Sequence, residues 1–285
     1  MSWQGRLQLR YQRDDERTIA HDRHHGPLRV LQRLYPEGPG VCHHVLVHPP
    51  GGIAGGDVLH IDADLQPHTH ALITTPGATR FYKSADAQAE QHLNARVAEG
   101  ARLEWLPLET IAYRGCQAHN RMRFELAPGA EMIGWDVLAL GLPAAGEHFD
   151  DPAWAHGHYT QEIELPGVWL ERGTVRASDQ RLLDSPLGWA GRRVMGTVWF
   201  AAGTPLSTTE RGALLDAARA VLDDEARPTT HGLCGGATSP DAQLVVVRVL
   251  AERVEPIMQR LTAIWQGWRQ TRWRMEAPIP RIWRM

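Results

Sequence analysis

The chain has 285 residues, which is enough to bury a sizeable core as one large domain or two ordinary ones. Hydrophobic residues make up 43% and charged residues 22%, as in globular proteins, and no apolar run approaches the roughly 20 residues that span a bilayer. The formal net charge of -3 argues against nucleic acid as a partner.

The cysteines and the first residues indicate the compartment. Cys42, Cys116 and Cys234 are far apart and odd in number, which favours reduced thiols. The N-terminal residues are polar and lack the apolar core of a signal peptide. We therefore expect a cytoplasmic protein that does not enter a membrane.

Most of the chain is predicted to form short strands. Alternating or continuous apolar runs, separated by turns such as Pro128-Gly129, are typical of strands. A loop is expected at His21, His24 and His25. The predicted strands are residues 41–47, 57–65, 91–98, 102–106, 121–126, 131–138, 158–165, 168–176, 192–200 and 243–250. So many short strands predict a mostly β, all-β architecture.

Two helices are predicted in the C-terminal third. Ser207 and Glu210 form a capping-box pattern that begins a helix over about 208–226, ended by Arg227-Pro228. A second helix, over about 255–272, begins near Pro256, a residue suited to a first turn. Each helix has one apolar side, so both are expected to cover one face or end of the sheets.

A glycine-rich stretch over residues 48–57 predicts a tight, shaped loop, since glycine reaches positive φ at little cost. Pro76-Gly77 fits the centre of a type II turn. No Lys-Ser or Lys-Thr follows the glycines, and a strand rather than a helix comes next, so a nucleotide-phosphate site is excluded. The structural loop positions are Gly51, Gly52, Gly55, Gly56, Pro76 and Gly77.

One strand carries a possible metal-binding face. His60, Asp62 and Asp64 lie opposite the apolar face of strand 57–65, because successive side chains of a strand alternate. Imidazole and carboxylate together suit a borderline divalent metal such as Ni²⁺ or Zn²⁺. A solvated strand face is the simpler alternative, and we favour it. A β-rich metal-dependent hydrolase that uses this face remains a rival hypothesis for function.

No motif of a conventional hydrolase or closed zinc site is present. The sequence has no Gly-x-Ser-x-Gly elbow, no Cys-x-x-Cys pair and no His-Glu-x-x-His helix. Glu109 interrupts an apolar run, where a buried charge must be paired or metal-bound, and Glu147 follows a loop. Pairing or solvation is the simpler interpretation of both.

The C-terminal segment is rich in Trp and Arg, residues over-represented at interface hot spots. Core packing accounts for Trp265 and Trp268 on the second helix. A partner-binding surface is plausible for Trp273, Arg281 and Trp283. Stacking of single-stranded nucleic acid on the same residues is a third-ranked alternative.

Four blocks together resemble the urease accessory protein UreD family (called UreH in some organisms). They are His48–Asp57, Thr75–Ser84, Trp105–Ile111 and Pro280–Trp283, and they occur in family order across essentially the whole chain. Leu142 stands where the family usually has Arg, and the chain ends Trp-Arg-Met instead of a small residue and Thr.

The resemblance implies a single β-rich domain with two helices over residues 1–285, acting as a non-enzymatic chaperone in nickel insertion. Its implied partners are apo-urease and UreF, and UreF brings in the GTPase UreG. A water-filled passage would lead Ni²⁺ toward the urease active site, with no tightly held cofactor. Scattered weak ligands suit such a path, because a tight site would trap the ion. The expected path residues are His60, Asp62, Asp64, Glu109 and Glu147.

Overall fold

A seven-stranded sheet forms one outer layer of the fold, and we call it the first sheet. The structure, a computed structural model, describes residues 2–223 and 232–284. Side chains in this sheet alternate between buried and accessible, as the predicted strand over 57–65 required. The strands are β1 (Gln4–Asp14), β2 (Arg17–His25), β5 (Val58–Leu65), β8 (Ala89–Val97), β11 (Gln117–Leu126), β14 (His158–Leu165) and β15 (Trp169–Arg176), in the order β15-β14-β11-β8-β5-β1-β2.

The second sheet has eleven strands within the described residues. They are β3 (Arg29–Leu34), β4 (Val41–Val47), β6 (His70–Thr74), β7 (Thr79–Phe81), β9 (Arg102–Trp105), β10 (Thr110–Ala112), β12 (Glu131–Leu142), β13 (Glu147–His148), β16 (Val194–Ala202), β17 (Cys234–Asp241) and β18 (Leu244–Ala251). The main path is β17-β18-β16-β12-β9-β6-β4-β3, with β10 between β12 and β7 and β13 on β12.

The chain passes back and forth between the two sheets. From β4 to β12 the longer strands alternate between the second and the first sheet, so neighbours within a sheet are parallel: β5 with β8, β8 with β11, β4 with β6 and β6 with β9. Antiparallel hairpins involve strands before and after this stretch, as between β1 and β2 and between β14 and β15. The predicted mostly β fold is therefore confirmed, and its parallel middle is a property that strand patterns alone do not reveal.

The described part of the chain contains three α-helices, and the two C-terminal ones cover the second sheet. The helices are α1 (Gln180–Asp184), α2 (Thr208–Leu222) and α3 (Val254–Trp268), and α3 continues into a π-helical turn over Arg269–Trp273. Both C-terminal helices are confirmed, and the short α1 was not predicted. The Ser207 hydroxyl accepts from the Glu210 N–H at 3.2 Å, completing the capping box. Of the predicted end of α2, residues 224–226 lie outside the described residues.

Two hydrophobic cores hold three layers together. One lies between the sheets and includes Leu59, Trp105 and Phe124; the other lies between the second sheet and the helices and includes Trp135, Trp265 and Trp268. Strand β12 is buried on both faces because it contributes to both cores. At about 25 cal/mol per Å² of apolar surface, burial of this kind is the main stabilising term of the fold.

The histidine-rich segment near the N-terminus is a strand and not a loop. His21, His24 and His25 lie on strand β2, so the predicted histidine loop is wrong; the hairpin partner β1 extends their segment into a strand.

Within the described residues, every helix is too short or too polar to cross a membrane.

Candidate functional site

The glycine-rich loop lies across the end of the space between the sheets. Gly51 and Gly56 have φ of +81° and +89°, a backbone conformation that residues other than glycine rarely adopt. A Cβ on Gly52 would collide with the ring of Tyr82. The Ile53 N–H donates to Arg80 O at 2.7 Å, and the Tyr82 N–H donates to Ile53 O at 2.9 Å. The two segments of the predicted structural loop, 48–57 and 75–84, are therefore joined.

The predicted type II turn at Pro76-Gly77 is wrong. Gly77 does not have the positive φ that such a turn requires, and a Cβ on it would meet nothing within 4 Å. The segment forms an open bend instead, because its neighbours are held by pairing of β7 with β10 rather than by a turn hydrogen bond. Gly77 is thus a residue of the loop rim, with no conformational demand for glycine.

Asp57 ties the same loop to the N-terminal segment. Its side chain is buried, and its two oxygens accept from the Trp3 N–H at 2.7 Å and the Ala54 N–H at 2.9 Å. Hydrogen bonds from backbone N–H groups to a carboxylate are among the stronger ones in proteins. The loop therefore has a defined shape.

A cavity of about 380 Å³ lies beneath this loop, between the two sheets. His48, Gly52 and Pro76 line its mouth, and the polar groups Asn120 and Asp136 line its interior. Its other walls include the apolar residues Leu59, Ile61, Trp105 and Met122. A concave apolar site with a few convergent polar groups is the usual form of a binding cavity.

A row of amides crosses the inner face of the first sheet, and two of them, Gln91 and Asn120, line the cavity. Gln91, Asn120 and Gln161 occupy paired positions on β8, β11 and β14. The Gln91 Nε2 donates to Asn120 Oδ1 at 3.2 Å, and the Tyr159 hydroxyl donates to Gln161 Oε1 at 2.8 Å. The Gln161 Nε2 is buried without a hydrogen-bond partner. Such an orphan amide marks a place where a polar ligand or water would be stabilised.

Asp136 enters the cavity from the opposite side, on strand β12 of the second sheet. Burial raises the pKa of Asp136 to about 7; the neighbouring Gln161 amide opposes this shift, and the negative charge of Glu171 adds a smaller increase. Its carboxyl group can therefore gain or lose a proton near neutral pH. In the ionised form it carries a negative charge on two oxygen atoms at the cavity wall.

Asp136 is not among the residues predicted from the sequence. It lies in the predicted strand 131–138, between Trp135 and Val137, where every neighbour is apolar. Like Glu109, Asp136 is a charged residue within an apolar run. A carboxyl group in a strand that is buried on both faces was the available signal.

His60, Asp62 and Asp64 share one face of β5, as predicted, and that face points outward from the first sheet. Asp62 pairs with Arg6 at 2.8 Å, and Asp64 Oδ2 accepts from the Gln66 amide at 2.9 Å. These three residues therefore lie on the opposite side of the sheet from the cavity.

Glu109 and Glu147 lie at two further places. Glu109 lines a groove of about 1150 Å³ between β12 and α3, and Trp283 lines the same groove. Glu147, on β13, faces Arg114 at 4.0 Å. Over residues 2–223 and 232–284, no group of three or more His, Cys, Asp or Glu side chains is arranged to hold a metal ion. A metal-dependent hydrolase would need a set of three protein ligands, and no such set is arranged in this part of the chain.

The C-terminal residues differ in exposure. Trp273 is buried, and its indole N–H donates to Glu131 Oε2 at 2.6 Å, so in this structure it is not a docking surface. Trp283 is partly buried and its indole N–H donates to the Thr74 hydroxyl at 2.8 Å. Arg281 is exposed.

A buried ionic cluster holds the end of α3. Arg269 is fully buried and pairs with Glu37, whose other contact is His43 Nε2 at 2.7 Å. Burial opposes ionisation of Glu37, but hydrogen bonds from His43 and Arg269 lower the pKa of Glu37 to about 2. Glu104 is also fully buried, and it accepts from His70 Nε2 at 2.6 Å.

The same explanation applies to Glu104. Burial alone would raise the pKa of Glu104, but the His70 hydrogen bond and the charges of His70 and Arg269 lower it. The indole N–H of Trp265 also donates to this carboxylate, at 2.5 Å. The cluster therefore joins β9 and α3 through ionised groups, and it stabilises the fold instead of forming a cavity.

Together these features define a β-rich domain built around an internal, mainly apolar cavity that a few polar side chains enter. The family described as UreD urease accessory protein matches residues 4–284. A protein named urease accessory protein UreD from Leptothrix cholodnii is 60% identical over 286 residues, covering 100% of both chains. Relatives of the same name from Variovorax paradoxus and Paracidovorax citrulli are 54% and 55% identical over 285 residues, covering 99% and 100% of both chains. The chain belongs to the UreD family.

Proposed function

We propose that this protein is a urease maturation chaperone, required for functional incorporation of the nickel metallocentre, and that Ni²⁺ passes through the cavity between its sheets. The observation that carries the proposal is Asp136, a buried carboxyl group that titrates near neutral pH and faces a cavity with a defined mouth. Membership of a family of urease accessory proteins supports the maturation role.

The donor atoms suit passage better than storage. The interior of the cavity offers Ni²⁺ one carboxylate and the oxygens of amide side chains, and its one imidazole, that of His48, lies at the mouth. Weak oxygen ligands allow an ion to enter and leave, and conduction requires both steps. When the ion leaves, Asp136 can take up a proton, so the interior never holds an unpaired charge for long.

The proposed partners are the apo-urease structural subunits, UreF and, through UreF, the GTPase UreG. In this role the chain transforms no substrate and acts in the cytoplasm. Exposed Arg281 at the C-terminal turn and the groove beside Trp283 are the proposed surfaces for docking.

The experiment that tests the function is co-expression of the urease structural subunits with UreF and UreG, with and without this chain. Nickel in purified urease is measured by mass spectrometry. We expect urease made without the chain to contain a small fraction of the nickel found with it. Equal nickel in both preparations would contradict the proposal.

A further inference from the structure

Two histidines face each other on the outer surface of the first sheet. His60 on β5 and His92 on β8 are directly paired residues of neighbouring parallel strands. Their ring centres are 5.1 Å apart and their planes differ by 16°, so the imidazoles are stacked. Both side chains are only partly buried, which leaves them accessible to ions from solvent.

A carboxylate orients one of the two rings. Glu90 lies two residues before His92 on the same face of β8, and its Oε2 accepts from His92 Nε2 at 2.7 Å. With the proton on Nε2, the lone pair is on Nδ1. Metal-binding histidines almost always donate their other N–H to a carboxylate or carbonyl in this way.

A third imidazole lies next to the pair. The ring of His119 on β11 meets His92 edge-on, with centres 6.0 Å apart. Its Nε2 is buried and has no hydrogen-bond partner. Asp62 on the same face is already held by Arg6, so the available donors are nitrogens.

We propose that His60 and His92 form an exchangeable binding site for a borderline divalent cation, Ni²⁺ or Zn²⁺, with Glu90 as the positioning residue. Two nitrogens are fewer than the three or four protein ligands of a closed site, so water completes the coordination and the ion exchanges readily. The rings must turn from their stacked arrangement, and the torsion of an imidazole about its terminal bond is broad.

The use of this site in nickel delivery rests on the proposed function, whereas the binding itself does not. The pair lies on the solvent side of the sheet whose inner face lines the cavity. It would raise the local concentration of nickel on this surface and would hold the ion too weakly to keep it.

The direct test is titration of the full-length protein with Ni²⁺ alone, followed by NMR of the histidine ring protons. Paramagnetic Ni²⁺ should broaden the signals of His60 and His92 first. His60→Ala and His92→Ala should each remove one binding equivalent in equilibrium dialysis, and Glu90→Ala should weaken that equivalent about tenfold. His21→Ala, an exposed histidine on the same face, is the matched control and should change nothing.

Equal nickel binding by wild type and His60→Ala/His92→Ala, with unchanged melting temperature, would overturn the site. The site would also be overturned if Ni²⁺ broadened the ring-proton signals of another histidine before those of His60 and His92. The double variant is also tested in urease maturation. If the double variant loses nickel binding but urease still receives its normal nickel, the site exists and is not part of the delivery route. The proposed function would then be tested by the Asp136 experiments alone.

Discussion

Arg269 and Glu37, 232 residues apart in sequence, form a buried pair in which Arg269 Nη1 lies 3.2 Å from Glu37 Oε1 and Nη2 lies 2.5 Å from Oε2. The Arg269 side chain has no exposed surface and that of Glu37 has 8%. The pair joins the π-helical turn after α3 to the segment before β4. The end of the last long helix is therefore held by a charge contact as well as by its apolar side.

Removing one member of this pair should be costly. Arg269→Met leaves the carboxylates of Glu37 and Glu104 buried without their cation, and we expect a loss of about 3–5 kcal/mol in the free energy of unfolding. The measurement is urea unfolding followed by tryptophan fluorescence. Arg6→Met, which breaks the exposed pair with Asp62, is the control and should cost less than about 1 kcal/mol. Equal effects of the two substitutions would contradict the assignment.

Asp136 should make stability fall as pH rises. Its pKa is raised from 3.8 to about 7 in the folded protein, so the folded state binds the proton more tightly than the unfolded state does. The resulting contribution is fully present below pH 4 and is lost as pH rises through 7, by an amount on the order of 4 kcal/mol at most.

Asp136→Asn should therefore flatten this dependence and stabilise the protein at pH 8 relative to wild type. Unfolding free energies of both proteins at pH 5 and pH 8 give the comparison. Asp86→Asn, at an exposed position, is the control and should follow wild type at both values. A constant difference between Asp136→Asn and wild type across this range would show that Asp136 does not titrate there.

Part of this arrangement could be predicted from sequence, and the rest depends on strand order. The alternation of Leu59 and Ile61 with His60 predicts two faces of β5, and Ser207 with Glu210 predicts the start of α2; both are local patterns. Which face lies outside depends on the second sheet. The parallel pairing that brings Gln91 next to Asn120 arises because the chain alternates between sheets, and no local pattern encodes it.

The loop at the mouth of the cavity should tolerate change at one glycine and not at another. Gly52→Ala places a methyl group against the Tyr82 ring and should lower the melting temperature, by several degrees if the ring cannot move. Gly77→Ala enters open space without positive φ and should leave it unchanged. Thermal unfolding by circular dichroism measures both. A larger loss for Gly77→Ala would contradict the described loop.

The C-terminal turn offers a test of partner binding. Arg281→Ala should weaken co-purification with UreF while the melting temperature stays constant, because Arg281 is exposed. Trp283→Ala should also weaken it, but that indole packs on Trp135 with ring centres 5.2 Å apart, so its loss also destabilises the fold. Arg23→Ala, an exposed arginine on β2, is the control. Unchanged recovery of UreF with Arg281→Ala would argue against this surface.

A role in nickel transfer for the acidic residues outside the cavity is a separate prediction. Changing Asp62, Asp64, Glu109 and Glu147 together to amides should lower the nickel content of matured urease while the fold remains intact. They lie on different surfaces, so the effect would come from several weak contacts outside the cavity. Urease nickel equal to wild type, with the variant protein folded, would remove these residues from the path.

The nickel content of urease matured with Asp136→Asn tests the central claim most directly. The substitution preserves the size of the side chain. It removes the carboxylate that β12 contributes to the cavity wall. With Asp86→Asn as control, we predict urease nickel below half of the wild-type value for Asp136→Asn and wild-type nickel for the control. Wild-type nickel with a folded Asp136→Asn protein would contradict passage of the ion through this cavity.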